Sequence, residues 1–233
     1  MKTLTTMSLL AIAALSAACT PKASLRPDGR PGDHLTPTER LLVSRAPATQ
    51  PLKLVTNDVP AGDVFLHTAS LSVDPRDPAL GHLQARMQAT VDLEKGVGIA
   101  APQVGVNRRF ILVKRLDKKD EPFHSYSNPS ITRSSEATEV AWEGCLSIPA
   151  GFGQVRRAQS ITLRHQDQDG RWLTEEVKGF TARIFQHEID HLDGVLFIER
   201  KEPGELIPKD EYRRRKEEQK QRPTSESEKA PKT

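Results

Sequence analysis

Apolar residues recur at helical spacing in two stretches of the chain, and at strand spacing in three others. Leu80, Leu83, Met87 and Val91 line up on one face if that stretch is helical. Asp77-Pro78 in front and Gly96 behind mark its ends, because proline suits a first helical turn and glycine a C-terminal stop. The second stretch runs from Gly179 to Gly194, with Ile184, Leu192 and Phe180 predicted on its buried side. Arg109 to Val113 predicts a strand. Ser160 to His165 and Trp172 to Val177 predict a hairpin turned by Asp167-Gln168-Asp169-Gly170. Pro51 to Val59 predicts an extended entry into the folded region.

Outside these elements the pattern fades. Residues 1–19 carry Lys2, an apolar run centred on Leu9 to Leu15, and Ser16-Ala17-Ala18 ahead of Cys19. That is the layout of a secretory signal, and the lone cysteine behind small residues gives it a bacterial lipoprotein character. The expectation is a lipid anchor at Cys19 and a place in the cell envelope; an unprocessed N-terminus would leave the protein in the cytoplasm. Residues 20–50 hold Pro21, Pro27, Pro31, Pro37 and Pro47 with little apolar periodicity, which predicts a disordered spacer. Residues 51–203 are the expected folded domain. Residues 204–233 read as a charged tail with a short helix around Tyr212 to Lys220, then irregular chain.

Composition changes this picture little. Of 233 residues, 36% are hydrophobic, enough for one core. Basic and acidic side chains nearly balance at 34 and 31, so charge argues for no specific nucleic-acid partner. The two cysteines, Cys19 and Cys145, sit in contexts that favour separate uses over a disulfide.

The second helical stretch carries chemistry. It contains His187-Glu188-Ile189-Asp190-His191, which on a helix stacks two imidazoles one turn apart with a carboxylate beside them. Two neutral nitrogens can hold a metal ion, and a neighbouring glutamate can take a proton from water. A third ligand is needed. Phe197 stands where a longer metallopeptidase signature has its third His. Two candidates remain: Glu205, beyond Pro203-Gly204, and Cys145, in Glu143-Gly144-Cys145-Leu146-Ser147. His34, His67, His82, His124 and His165 lie in polar settings and are expected to take no part. Gly96 to Gly105 is rich in small residues that permit close backbone approach.

Taken together, Gly96 to Gln103, Glu143 to Ser147 and Gln186 to Gly194 resemble the peptide deformylases, whose pattern is a GxGxAAxQ loop, an EGCLS segment and a QHExDHLxG helix. The resemblance spans about Pro51 to Glu202. It implies an α+β fold with antiparallel strands packed around a central metal-binding HExxH helix. It also implies Cys145, His187 and His191 as metal ligands and Glu188 as general base. The Gln103 amide and the Leu146 backbone N–H would stabilise the oxyanion, and Val97, Gly98 and Gly144 would bind the substrate. Glu143 and Gln186 would orient the ligands.

The implied reaction removes the formyl group from N-formylmethionine at the start of peptides or nascent chains, by a monomer. The implied cofactor is one divalent ion, Fe2+ by resemblance, with Zn2+ or Ni2+ as alternatives; export would favour Zn2+. The competing readings are an envelope metallopeptidase with an acidic third ligand and a noncatalytic metal-binding protein of the same fold.

Overall fold

In a computed structural model that describes residues 33–221, five antiparallel strands form the main sheet. They are β1 (Gly98–Ala100), β2 (Phe110–Lys114), β3 (Phe123–Ser134), β6 (Ser160–Gln166) and β7 (Trp172–Lys178), hydrogen-bonded in that order. A separate hairpin pairs β4 (Thr138–Cys145) with β5 (Ile148–Ala158). Helices α3 (Ala79–Leu93) and α4 (Gly179–Leu192) each supply buried residues to a separate core cluster.

Strand β2 shows why its run is continuously apolar. Phe110 and Leu112 belong to one core cluster with Leu80, Leu83, Met87 and Val91 of α3. Ile111 and Val113 belong to another with Ala182, Ile184, Phe185, Ile189 and Leu192 of α4. Side chains on a strand alternate between faces, so a strand covered on both faces has no polar positions left. The hairpin predicted around Asp167 to Gly170 forms as β6 and β7, and Gly170 adopts φ +80 in its turn. The helix predicted from Asp77-Pro78 is α3, with all four expected apolar residues buried.

Three expectations change. The spacer predicted over residues 20–50 is part of the fold from residue 33 onward, where Leu35, just ahead of α1 (Pro37–Ser44), and Val43 within it join the α3 cluster. Thr36 and Glu39 cap this helix reciprocally, and Pro37 opens it, a start signal hidden among prolines that read as spacer. Phe180, expected inside, is 53% exposed because its side of α4 opens onto a cavity that Trp142 and Tyr212 also line. His165 is buried, edge-on to Tyr126 with ring centroids 4.9 Å apart, though its Nε2 still faces Glu175 Oε1 at 3.8 Å. The expected signal, Cys19 and residues 20–32 lie outside the described residues, as does the end of the tail beyond residue 221.

Arg86 locks the α1 segment to α3. Its guanidinium donates to the carbonyls of Leu42, Val43 and Gln50 at 2.9 Å each, and to that of Pro51 at 3.2 Å. The side chain is 2% exposed, so Arg86→Ala strands carbonyls that have lost their donor. The expected cost is about 1–3 kcal/mol, measured as a lower urea midpoint with little change in m-value.

Candidate metal centre

Helix α4 carries the His-Glu pair on the face turned toward β1 and the β4–β5 turn. Glycines bracket it: Gly179 at φ +61 and Gly194 at φ +73, conformations that cost most residues strain but not glycine. Eleven of its fourteen residues are buried, so the imidazoles point into the protein. Cys145 reaches them from the last position of β4. There the chain reverses through Leu146-Ser147, with Cys145 paired to Ile148.

One possible ligand atom each from Cys145, His187 and His191 lies within 4.8 Å of the others. Cys145 Sγ is 3.1 Å from His191 Nε2. Bonds of about 2.0–2.3 Å in a tetrahedron place ligand atoms roughly 3.5 Å apart, so this donor set fits a single ion. Glu205 is exposed and outside the group, which removes it as the third ligand. His34, His67, His82, His124 and His165 are also outside it.

The charges around the donors favour a cation. His187 Nδ1 lies 3.0 Å from Glu143 Oε2, which leaves Nε2 as its ligand atom. Burial by itself would depress the His187 pKa, yet Cys145 and Glu143 hold it well above the usual histidine value: their negative charge draws a proton to this imidazole, and a cation binding there would displace it. Burial, followed by the charge of His187, keeps His191 well below that value, the neutral form a ligand must have.

Glu188 is the distinctive member. It is 4% exposed, and its Oε2 has no hydrogen-bond partner among the described residues. Burial pushes its carboxyl up to about 7, with His187 pulling the other way. A buried carboxylate oxygen without a partner is rare in native proteins and marks a working group more often than a structural one.

β1 comes close to it because residue 98 has no side chain. A Cβ on Gly98 would lie 2.4 Å from Glu188 Oε1 and 2.8 Å from Ile184 Cγ2. Gly98→Ala is therefore expected to push the carboxylate aside, lowering kcat roughly 10- to 100-fold while metal content stays stoichiometric. Steady-state kinetics with metal analysis checks this.

Gln103 follows β1 in a 3-10 turn, Ala101–Val104, opened by Pro102. Its Oε1 accepts from Ala100 N–H at 2.8 Å, and its Nε2 donates to Cys145 Sγ and Ser147 Oγ, each at 3.4 Å. The amide donor is thus aimed at the Cys145 sulfur. Val97, Gly98, Gln103, Gly144, Leu146, His187 and Glu188 all line one cavity of about 650 Å³. Gly144 admits the Phe152 ring, which would lie 2.4 Å from a Cβ there. Gln186 hydrogen-bonds to none of the three donor side chains. It pairs instead with the backbone of Ala158, accepting at 3.0 Å and donating at 2.9 Å, and so fixes α4 against the end of β5.

Behind Glu143 stands a network that sequence reasoning did not find. Arg157 donates to both Glu143 oxygens at 3.0 Å, Arg183 donates to Oε1 at 2.7 Å, and Arg157 also meets Asp190, which Arg200 holds from outside. Alternation along β5 was the available signal: Val155 and Arg157 face in while Arg156 faces out. Burial alone would raise the Glu143 pKa, but hydrogen bonds from His187 and Arg157 hold it far below the usual carboxylate range.

Activating water for attack on a carbonyl is the chemistry such a set supports, and this places the fold among metal-dependent hydrolases. Residues 55–206 match the family model for polypeptide deformylase. The chain is 41% identical over 146 residues to the peptide deformylase of Thermotoga neapolitana, covering 63% of this chain and 87% of that one. The crystal structure of the Thermotoga maritima peptide deformylase superposes with a TM-score of 0.60 at 36% identity, covering 66% of this chain and 99% of that one. A class I type b peptide deformylase from Acinetobacter baumannii, bound to Met-Ala-Ser, gives 0.57 at 34% identity, with coverages of 65% and 99%. The chain belongs to the polypeptide deformylase family.

Proposed function

We propose that this chain hydrolyses the formyl group from N-formylmethionine at the start of peptides, releasing formate and a free amino terminus. The observation that carries this reading is the unpartnered, buried Glu188 carboxylate beside the Cys145-His187-His191 donors, on the wall of a peptide-sized cavity. The Met-Ala-Ser complex of a relative supports the substrate class, since that tripeptide begins with methionine.

Helix α4 is then the metal-binding helix, with Cys145, His187 and His191 as its ligand set. A divalent ion bound there would act as a Lewis acid, acidifying a water and polarising the formyl oxygen. Glu188 takes the proton from the attacking water and returns it to the departing amine as the carbon–nitrogen bond breaks. The Gln103 Nε2–H and the Leu146 backbone N–H stabilise the negative charge that develops on the formyl oxygen. Gly98 sits in the edge strand of the main sheet, where a substrate main chain can add as a further strand. Glu143 accepts from His187 Nδ1 and so fixes which nitrogen serves as ligand.

The thiolate and imidazole donors are compatible with Fe2+, Zn2+ or Ni2+. Fe2+ is the family-based assignment. Metal content of protein purified without oxygen tests it, and stoichiometric zinc with no iron would replace it.

The reaction is tested by formate release from a short N-formylmethionyl peptide, using the full metal-loaded chain and an N-acetyl peptide as control. Release from the formyl peptide alone is expected. A folded, metal-loaded protein that releases none would remove the reading. Envelope anchoring through Cys19 is a separate proposal, resting on the N-terminal pattern. Fractionation tests it: full-length, unlipidated protein in the soluble cytoplasm would sink it.

A further inference from the structure

Helix α6 (Lys209–Gln221) lies beyond the family match, which ends at residue 206, yet it forms part of the catalytic cavity. Bridges from Val155 to Lys201 and from Phe152 to Ile207 tie the preceding segment along β5. From that fixed start Tyr212 stacks on Phe152, with ring centroids 4.1 Å apart and planes 8° from parallel. Phe152 in turn fills the space over Gly144, next to Cys145. Continuous aromatic packing therefore joins α6 to the strand that delivers the cysteine ligand.

Lys209 and Arg213 stand one turn apart on α6, and both line the cavity, as does Lys95 from the turn before β1. Among the described residues none of these three cations forms an ion pair. Neighbouring charges on α6 are engaged: Arg214 and Arg215 pair with Glu211, and Lys216 lies over the Tyr212 ring. Of the acidic residues lining the cavity, Glu143 is held in the buried arginine network and Glu188 faces Gly98, so Glu94 alone is left at the rim. The mouth is thus cationic on the side that α6 supplies.

We propose that Lys209 and Arg213 form a subsite for a carboxylate in the peptide just behind the formylated residue, making α6 a specificity element that selects acidic substrates. The proposal rests on the deformylation reading for its substrate, and on geometry for its location. A cavity of about 650 Å³ takes a ligand of a few residues at most, so the side chains that reach α6 belong to positions close behind the methionine. Two exposed charges act weakly and are screened by salt, so they set KM and not kcat.

The test uses the full metal-loaded chain and amidated formyl-methionyl tetrapeptides that carry Glu, Gln or Lys at the second, third or fourth position. At low salt the wild type is expected to show a KM about fivefold lower for Glu than for Lys at one of these positions, with equal kcat. Salt at 0.5 M should erase the difference. In Lys209→Glu/Arg213→Glu the order should invert. In Lys209→Met/Arg213→Met, which keeps α6 neutral at these points, it should vanish without inverting. Binding of the unformylated peptides by calorimetry should follow the same order with no turnover involved. Equal KM and equal binding for Glu and Lys peptides in the wild type, or a preference unchanged in the reversed variant, would overturn the subsite. Absence of formate from every peptide would instead overturn the reaction, while the binding order still decides the subsite.

Discussion

Glu188→Ala is expected to lower kcat for formate release by about 10²- to 10⁴-fold, the usual loss when a general base is removed. Each decade corresponds to about 1.4 kcal/mol of barrier, so the carboxylate is asked to supply roughly 3–5 kcal/mol. The structure gives a reason to expect that much from one group. Glu188 is desolvated, Gly98 lets the backbone of β1 lie against it, and its Oε2 has no partner among the described residues. Burial pushes it up to about 7, a value at which a carboxyl can both accept and return a proton near neutral pH.

The same observations separate this role from a structural one. A buried carboxylate with an unpartnered oxygen costs stability, so Glu188→Gln should melt at or above the wild-type temperature while losing activity. Metal content should stay at one ion per chain in both variants, because Cys145, His187 and His191 are untouched. Full activity in either variant would remove Glu188 from the mechanism. A large fall in melting temperature for the glutamine variant would make its role structural.

Much of this site was legible because its chemistry sits in local patterns. His187 and His191 one turn apart, the cysteine in Glu143 to Ser147 and the small-residue loop before Gln103 each carry their spacing in the sequence. Helix α3 and strands β2, β6 and β7 were legible for the same reason: their periodicity is unbroken. What sequence reading lost was non-local or irregular. β3 contains Pro129 and register shifts, with Asn128 at φ 50. β5 carries Pro149, Gly151 and Gly153. These interruptions hide β3 and the first half of β5, and leave strict alternation only over Gly153 to Arg157. Arg157 and Arg183 carry no local pattern that ties them to Glu143, fourteen and forty residues away in the chain, and only the fold brings them together. Tyr212 read as part of a solvated tail, because its partner Phe152 lies sixty residues earlier in the chain.

That non-local network makes the second large prediction. Glu143→Ala is expected to destabilise the protein by about 3–5 kcal/mol, since it leaves buried cationic groups short of a carboxylate. Arg157 and Arg183 side chains are each 5% exposed, so water cannot replace the lost oxygens. Asp190 still meets Arg157, and the carbonyls of Val155 and Glu139 still accept from Arg183, which is why unfolding should be eased and not complete. Thermal unfolding should show a melting temperature lower by about 10 °C. Glu143→Gln keeps the shape and one acceptor oxygen, so its stability loss should be smaller. The metal readout then decides what Glu143 does for the site. If it positions His187 through Nδ1, metal affinity in the glutamine variant should fall about 10- to 100-fold, beyond anything its stability loss explains. If the network only braces the β4–β5 hairpin against α4, metal affinity in the folded glutamine variant should match wild type. The positioning role would then be withdrawn, with Glu143 left as the counter-ion of two buried arginines.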